Sequence, residues 1–475
     1  MLTSLSFLQE GKPFPPKSEW ERLEKYKNNR MLFDDEHSEV YKESFRRIQR
    51  VIGNFEDVIS YEVIFNFQKL MSLKIADFIC GSPPRISAAD EEKQGLIDRI
   101  VIDTDLMNKL YMSVIDISRY GDSILQVSKD RNGNAKIDIT SPKYWFPVVN
   151  SNNIKEFAYH TFAWRYIIDA ENKKYGLAVQ IHDPENPEVC EYHKYELKGT
   201  KGSFMIGREL TGKKEDIEIE TKLDVCPVFV VSNVPTSDKP FGIDDYASID
   251  SIVSELCVRV SQISKVLDKF SSPSMTGPVS MVEWDEAAGG YKMRYGNFYP
   301  VNDGEQKPEM IVWDAGLDAN FKMIELLINQ LYTISEMGSA VFGDISHSTG
   351  NVASGTALKR LMISPLAKAR RIAGHYDRVL KHIISLCAKI YGVILEPHEI
   401  SIQWNDGLPG DPVEEANIIN LRTGGKATMS RYTAIRRFDK LSDADTDTEL
   451  ASIEQDEASS SMGVVPVNDP ESVIV

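Results

Sequence analysis

The stretch of sequence that decides the fold spans 317–342 and reads LDANFKMIELLINQLYTISEMGSAVF. Apolar residues surround it at helical spacing, and its only charges are Asp318, Lys322, Glu325 and Glu336. The pattern predicts a long helix that must be covered on several sides. An internal core helix and a helix shared with a neighbouring subunit both meet this requirement. The pattern alone does not distinguish between these two interpretations.

A second long helix is predicted before this stretch, because residues 244–269 contain neither Pro nor Gly. At 1.5 Å per residue, a helix of ~26 residues is about 39 Å long, which nearly equals the length predicted for 317–342. The two helices can therefore lie antiparallel. Between them, residues 271–316 are rich in Pro and Gly with short apolar runs, which predicts a small β-rich insert at the tip of the hairpin.

A polar loop and a third long helix follow the hairpin. Residues 344–356, DISHSTGNVASGT, offer little to pack, which predicts a mobile loop. From Leu358 to Tyr391 apolar residues recur at helical spacing, and Pro365 is expected to kink the helix. The opposite face is basic, through Lys359, Arg360, Lys368, Arg370, Arg371, Arg378, Lys381 and Lys389. Such a face is typical of solvated or intersubunit ion pairs, with DNA contact as the alternative.

The first half of the chain predicts an α+β domain that ends near Pro240. Helices are predicted over 18–54, 61–80 and 104–120, and the second should bury Phe65, Leu70, Leu73 and Ile75. Strands are predicted at 122–127, 135–140, 154–167, 176–182 and 190–197.

The end of the chain predicts one more strand and a small helical region. The strand spans 400–404, and short helices are expected at 413–421 and 430–438. The sequence then becomes acidic and Ser-rich, so residues 454–475 are expected to fray.

Composition limits the classes of function. A chain of 475 residues suggests roughly three modules of ~150 residues. Acids outnumber bases by 71 to 54, and the net charge of −17 excludes tight phosphate binding over the whole surface. A DNA duplex confined in an acidic channel would be repelled from the channel walls. A gliding contact with DNA is therefore compatible with the negative net charge. No apolar run reaches the ~18 residues of a membrane span, and the N-terminus lacks secretion-signal features, so the cytoplasm in which the protein is made is the expected compartment.

Motifs for catalysis or cofactor binding are absent. The sequence has no P-loop, HExxH or GxSxG motif, and its five cysteines never have CxxC spacing. A nuclease using Asp34, Asp35 and Glu36 is an enzyme alternative, although such a triplet is commonly a helix terminus in solvent. We therefore predict neither an enzyme nor a cofactor.

A possible calcium loop is the one metal pattern in the sequence. Asp443, Asp445, Asp447 and Glu454 have the spacing of its ligands, but Thr448 stands where the loop requires glycine. A solvated acidic helix start is the preferred interpretation, and no metal site is predicted.

The order of these elements resembles that of portal proteins of long-tailed bacteriophages, of the type found in phages of Gram-positive hosts. The segment 354–359, SGTALK, followed by Pro365 and Leu366, is similar to the family's loop-to-tunnel-helix segment. ISIQW at 400–404 with Leu408-Pro409 resembles its next strand. YGDS at 120–123 and PKYWFPV at 142–148 resemble its domain between helix and sheet.

The resemblance implies a multi-domain α+β portal fold that assembles as a homo-oligomeric ring. The implied divisions are an N-terminal arm and α+β wing at 1–243, a first stem helix at 244–271, a clip at 272–316, a second stem helix at 317–343, a tunnel loop at 344–356, a tunnel helix and returning wing strand at 357–410, and a short crown with an acidic tail at 411–475.

The resemblance also implies a structural virion protein at the capsid portal vertex, where DNA is packaged and ejected. Expected partners are further copies of the chain, twelve in the virion, double-stranded DNA without sequence specificity, the terminase large subunit, a head-completion or adaptor protein, and the major capsid and scaffolding proteins. The alternative is another virion structural protein, such as a minor capsid or adaptor protein that never encircles DNA.

Four groups of site residues are expected on this basis. DNA-channel contacts are assigned to Ser346, Ser348, Thr349, Asn351, Lys359 and Arg360. Hinges are assigned to Gly343, Gly350, Gly355 and Pro365. The subunit interface is assigned to Leu327, Ile328 and Leu331. Clip docking is assigned to Trp284, Tyr291, Tyr295, Phe298 and Trp313.

Overall fold

The structure is a computed structural model. It describes residues 1–52, 62–200, 203–212, 217–271, 275–276, 282–286, 290–293, 309–310, 317–343, 361–405, 412–424, 427–438, 441 and 443–461. The chain divides into two compact units, one of residues 1–347 with 361–407 and the other of residues 348–360 with 408–475. Within the described part, no helix has both the length and the apolar character needed to cross a bilayer.

Helices dominate the first 120 residues, and the predicted regions at 18–54, 61–80 and 104–120 each contain them. They are α1 (Trp20–Phe33), α2 (His37–Val40), α3 (Lys42–Ile52), α4 (Phe67–Cys80), α5 (Glu91–Asp103) and α6 (Leu106–Tyr120). The buried face predicted for α4 is wrong at Phe65 and Leu70, which are exposed. Phe65 precedes the helix, because the Asn66 side chain accepts the Lys69 N–H and caps it. The buried face is instead formed by Met71, Ile75 and Ile79, spaced four apart.

The strands of the first unit form antiparallel sheets. They are β1 (Pro13–Phe14), β2 (Arg85–Ala88), β3 (Asp122–Lys129), β4 (Ala135–Thr140), β5 (Val148–Asn150), β6 (Asn153–Asp169), β7 (Lys174–His182), β8 (Val189–Thr200), β9 (Ser203–Glu209), β10 (Glu218–Glu220) and β11 (Val228–Ser232). The largest sheet has the order β1-β9-β8-β7-β6-β5, with β10 paired to β8, and a smaller sheet has the order β11-β3-β4. All five predicted strands are confirmed, as β3, β4, β6, β7 and β8, whereas the other six of these strands were not predicted.

The N-terminal arm covers one face of the large sheet. Leu2, Phe7, Leu8 and Phe14 are buried there in one apolar cluster with Leu177, Val179, Leu197 and Ile206 of the sheet. The other face meets the small sheet through Trp145, Phe162, Ile124 and Val228. The large sheet therefore has a core on each of its sides.

Two long helices and short strands follow the wing. The first helix, α7 (Tyr246–Ser271), has 26 residues, and the second, α8 (Leu317–Ile334), has 18 and packs against it. Between them, β12 (Met275–Thr276) pairs with β15 (Glu309–Met310), and β13 (Val282–Asp285) pairs with β14 (Gly290–Met293).

The predicted continuous helix over 317–342 is wrong. The chain breaks after Ile334 and resumes as the short α9 (Gly338–Val341). Glu336 and Gly338 have φ values of 60° and 69° at this break, which no α-helix accommodates.

The third long helix, α10 (Ile363–Ile390), has 28 residues. Ile372, Tyr376, Leu380 and Ile383 are fully buried along it, in agreement with the predicted apolar face. Pro365 lies in the first turn of α10, just after a turn at Met362 that separates α10 from the helical Leu361, and the kink predicted at Pro365 stays a prediction. A first-turn residue needs no backbone N–H donor. After α10, β16 (Ile400–Gln403) pairs with β2 and confirms the predicted strand.

The described helices of the second unit are α11 (Pro412–Thr423), α12 (Arg431–Phe438) and α13 (Asp443–Ser461). Two of them match the short helices predicted at 413–421 and 430–438. The fraying predicted from residue 454 is wrong as far as Ser461, which is still helical, and the residues after 461 lie outside the described part.

Candidate functional site

The three long helices meet at one buried lysine. Lys368 of α10 is 4% exposed, and its Nζ lies 2.9 Å from Oδ1 of Asp245, which directly precedes α7. The same Nζ donates a hydrogen bond of 3.0 Å to the carbonyl oxygen of Ser335, after the end of α8. One ammonium group thus joins all three helices. A buried charge requires such partners, because an unpaired one carries the full cost of desolvation.

Two further side chains of α10 contact the break after α8. Ser364 Oγ donates a hydrogen bond of 3.0 Å to the Glu336 carbonyl oxygen, and the Arg371 guanidinium pairs with the Glu336 carboxylate. The hydrogen bond from Arg371 holds the pKa of Glu336 below its ordinary value, although burial opposes this shift. Ser364, Lys368 and Arg371 are spaced by four and three residues, so they share one helix face.

The start of α7 is fixed to the wing by buried polar groups. Asn233 Nδ2 donates to Oδ1 of Asp245 at 3.2 Å, and the Asp245 N–H donates to the Ser118 carbonyl oxygen at 2.9 Å. At Gly242, a Cβ atom would lie 2.1 Å from the carbonyl oxygen of Gly121. Only glycine permits this close backbone approach, which carries the chain from the wing into α7.

Asp122 is the buried carboxylate at this junction. Its Oδ1 accepts hydrogen bonds from Ser232 Oγ at 2.6 Å and from the Gly242 N–H at 2.9 Å, while Oδ2 is buried without a hydrogen bond. Burial raises the pKa of Asp122 to about 6, and these two hydrogen bonds oppose the shift. This carboxyl group therefore connects β3 to β11 and to the segment that leads into α7.

Comparison with known proteins identifies the family. The model for phage portal proteins of the SPP1 Gp6-like type matches residues 18–461. The chain belongs to the SPP1 Gp6-like family of phage portal proteins. A solved structure described as the neck of an empty GTA particle, computed with C6 symmetry, is also similar, with 10% identity and a TM-score of 0.46 over 81% of this chain and 93% of that one. No curated protein matches the sequence.

The family assigns the chain to an oligomeric ring at a capsid vertex. The protein is thus a portal, a structural component of the virion. The junction around Lys368 lies where the start of α7, the end of α8 and α10 come together.

The predicted channel contacts lie outside the described residues. This applies to Ser346, Ser348, Thr349, Asn351, Lys359 and Arg360, and equally to the hinges Gly350 and Gly355. Of the other two hinges, Gly343 has a φ of 86°, which favours glycine. Pro365 is buried and lies in the first turn of α10, and its role as a hinge stays a prediction.

The predicted subunit interface is wrong at one of its three residues. Leu331 is 1% exposed within a single chain, where it joins the main core, so a neighbour cannot reach it. Leu327 and Ile328 are half-buried, and their place in an interface stays a prediction. Sequence reasoning missed Phe321 and Leu326, which are both 52% exposed on the same helix. Leu331 is buried where α8 packs against α7, whereas Phe321 and Leu326 remain exposed.

The predicted docking residues of the clip are only partly described. Trp284 in β13 is exposed and stands opposite Tyr291 in β14 in the strand register. Tyr295, Phe298 and Trp313 lie outside the described residues. Docking by this group stays a prediction.

The basic face of the tunnel helix forms ion pairs within the chain. We expected Lys368, Arg370 and Arg371 in intersubunit pairs. This is wrong for Lys368 and Arg371, since their partners are Asp245 and Glu336 of the same chain. Arg370 is exposed, and its pairing stays a prediction. Two more cations of this face are also paired, Lys381 with Asp377 and Lys389 with Asp224. Sequence reasoning missed Asp245, because aspartate is common at the N-terminus of a helix and its presence there does not indicate a distant partner.

Two acidic patterns have local structural roles. Asp443, Asp445, Asp447 and Glu454 all belong to the single helix α13, so the backbone does not form the calcium loop that their spacing suggested. Asp35, of the triplet proposed for a nuclease, lies in the turn after α1 and pairs with Lys69 at 3.2 Å. Its pKa is lowered mainly by a hydrogen bond from the Asn66 side chain.

Proposed function

We propose that twelve copies of this portal surround double-stranded DNA and let it slide without reading its sequence. The observation that supports the ring is the apolar area that α8 leaves accessible at Phe321 and Leu326, which are exposed, and at Leu327 and Ile328, which are half-buried. Apolar area of this kind on a long helix favours a neighbouring subunit. The net charge of −17 suits a channel that does not grip phosphates.

The ring proposal is tested by imaging the purified full-length protein. Electron microscopy and native mass measurement should give closed rings, with twelve subunits in assembled virions. A protein that stays monomeric across physiological salt and high concentration would contradict the ring. Virions with a different subunit number would contradict only the stoichiometry.

We also propose that the clip docks the packaging terminase first and a head-completion protein later, while the wing meets the capsid and scaffolding proteins. Exposed Trp284 supports this role, because large aromatic side chains are frequent anchors of protein interfaces. Crosslinking during assembly in the host cytoplasm should connect residues near Trp284 to the terminase large subunit. Crosslinks that occur only on the wing would overturn this assignment.

The DNA contact is assigned to residues 344–360 on the basis of their sequence. Replacing Gly350 and Gly355 by Pro should stiffen the backbone without changing the charge, so rings should assemble but package DNA poorly. The matched control replaces both glycines by Ala, which restricts the backbone less. Normal packaging rate and length in the proline variant would refute the role of this segment.

A further inference from the structure

The second stem helix is interrupted where its sequence predicts continuity. Residues 317–337 contain neither Pro nor Gly, yet α8 ends at Ile334 and Glu336 adopts a φ of 60°. The left-handed region is disfavoured for a residue with a side chain. Gly338 favours the break, but local propensity opposes it at Glu336, where contacts from elsewhere in the chain must stabilise the left-handed conformation.

The tunnel helix replaces hydrogen bonds that the break removes. In a continuous helix, the carbonyl oxygens of Ser335 and Glu336 would accept the N–H groups of Ser339 and Ala340, four residues later. Instead, Lys368 Nζ donates to the Ser335 oxygen and Ser364 Oγ donates to the Glu336 oxygen, each at 3.0 Å. Two of the carbonyls that the break releases, those of Ser335 and Glu336, thus have a side-chain donor from one face of α10.

We propose that this break is a two-state joint between the stem and the tunnel helix. In the state described here, Ser364, Lys368 and Arg371 hold the break. In the other state, the first turns of α10 withdraw and the stem helix becomes continuous through Val341. The Ser335 and Glu336 carbonyls then accept the N–H groups of Ser339 and Ala340, so neither carbonyl loses its hydrogen bond.

The joint also connects the movement to the first stem helix. Lys368 pairs with Asp245 at the start of α7. The first turns of α10 can therefore withdraw only if this ion pair opens or if Asp245 moves together with Lys368. A displacement of the tunnel helix is thereby coupled to the shape of the stem. This inference goes beyond the proposed function, because it requires no particular ring number or partner.

Two substitutions with opposite expected effects test the joint, one that removes a glycine and one that introduces a glycine. Gly338 has a φ of 69°, and a Cβ atom there would meet only the Leu361 carbonyl oxygen, at 3.9 Å. Gly338→Ala therefore fits sterically, but it disfavours the left-handed conformation and favours a continuous helix. Glu336→Gly does the reverse, because glycine adopts the left-handed region readily and weakens a helix.

Hydrogen exchange of the full-length protein provides the measurement. The N–H groups of residues 338–340 form the first turn of α9 and lack intrahelical partners, so they exchange readily in the broken state. In the continuous state, those of Ser339 and Ala340 are bonded. The double variant combines Gly338→Ala with Ser364→Ala, which removes one of the side-chain donors that hold the break. It should slow the exchange of the Ser339 and Ala340 N–H groups by about fivefold or more. Glu336→Gly should leave exchange equal or faster.

The control is the unfolding temperature of each variant, which shows whether the subunit remains folded. The joint is refuted if the folded double variant exchanges at the wild-type rate at residues 339 and 340. It is also refuted if Glu336→Gly slows exchange as much as the double variant does. Neither outcome would affect the portal assignment, which rests on the family match.

Discussion

The Nζ of Lys368 and Oδ1 of Asp245 lie 2.9 Å apart, and both side chains are buried. The two residues are 123 positions apart in the sequence, so the pair closes a long segment that contains both stem helices and the clip. A buried pair of this kind is a weak source of net stability but a costly one to break on one side. The structural role of the pair is to hold the tunnel helix against the stem.

Lys368→Met should destabilise the subunit by about 3–5 kcal/mol, because it leaves the Asp245 carboxylate buried without its cation. Adding Asp245→Asn should restore part of the loss, since the second change removes the unpaired charge. Urea denaturation measures both effects. The control is Lys381→Met, which removes a partly exposed pair with Asp377 on the same helix and should cost at most about 1 kcal/mol. Equal losses for the two lysines would contradict the special role of Lys368.

Asp122 should make the wing more stable in mild acid. Its folded pKa of about 6 exceeds the ordinary aspartate value, so its contribution is fully present below pH ~4 and is lost as the pH rises through 6. Asp122→Asn removes this dependence. Relative to the variant, the wild type should gain roughly 2 kcal/mol of unfolding free energy between pH 7 and pH 4. Parallel stability curves for the two proteins would show that Asp122 does not titrate in this range.

The sequence predicted elements whose signal is local. Alternating apolar residues were sufficient for β3, β4, β6, β7 and β8, and helical spacing was sufficient for α7 and α10. The break after α8 could not be predicted in this way. The groups that stabilise it, Ser364 and Lys368, lie 28 residues or more beyond Glu336, and periodicity contains no information about such contacts.

The site was predicted less well than the fold for a similar reason. A basic face on a helix predicts cations, but not whether a cation is solvated, paired within the chain or paired across a ring. Lys368 differs from Lys381 only in what packs above it, which includes the start of α7 and the end of α8. Leu331 differs from Leu326 in the same way, because α7 covers one side of α8 and leaves the other exposed.

The buried histidines of the wing should make the protein sensitive to stronger acid. Burial lowers the pKa of His160 to about 3, with a further contribution from His182, and burial lowers the pKa of His182 to about 4. Stability should therefore fall as the pH drops from about 6.5 towards 4, because only the unfolded chain gains these protons. His182→Gln should reduce this loss by roughly 3 kcal/mol at pH 4. If the variant and the wild type lose stability in parallel below pH 6.5, the histidine is not responsible.

The N-terminal arm should stabilise the wing although it precedes the family match at 18–461. Phe14 is buried, its ring centroid lies 5.3 Å from that of Phe146, and it stands opposite Phe204 in the strand register. Phe14→Ala should cost about 3–5 kcal/mol of unfolding free energy through lost burial and the resulting cavity. The control is Met205→Ala on the neighbouring exposed position of β9, which should change stability by less than about 0.5 kcal/mol. A loss at Phe14 no greater than that at Met205 would show that the arm is not part of the core.

Leu326 and Leu331 should separate ring assembly from folding of the subunit. Leu326 is 52% exposed and Leu331 is 1% exposed, although both belong to α8. Leu326→Lys should leave the folded subunit almost unchanged, because an exposed lysine remains solvated, but it should weaken the ring if a neighbour buries this surface. Leu331→Ala should instead destabilise the subunit itself by about 2–5 kcal/mol. Light scattering at several protein concentrations reports assembly, and thermal unfolding reports folding. Rings that form normally with Leu326→Lys would place the neighbouring subunit elsewhere on the stem.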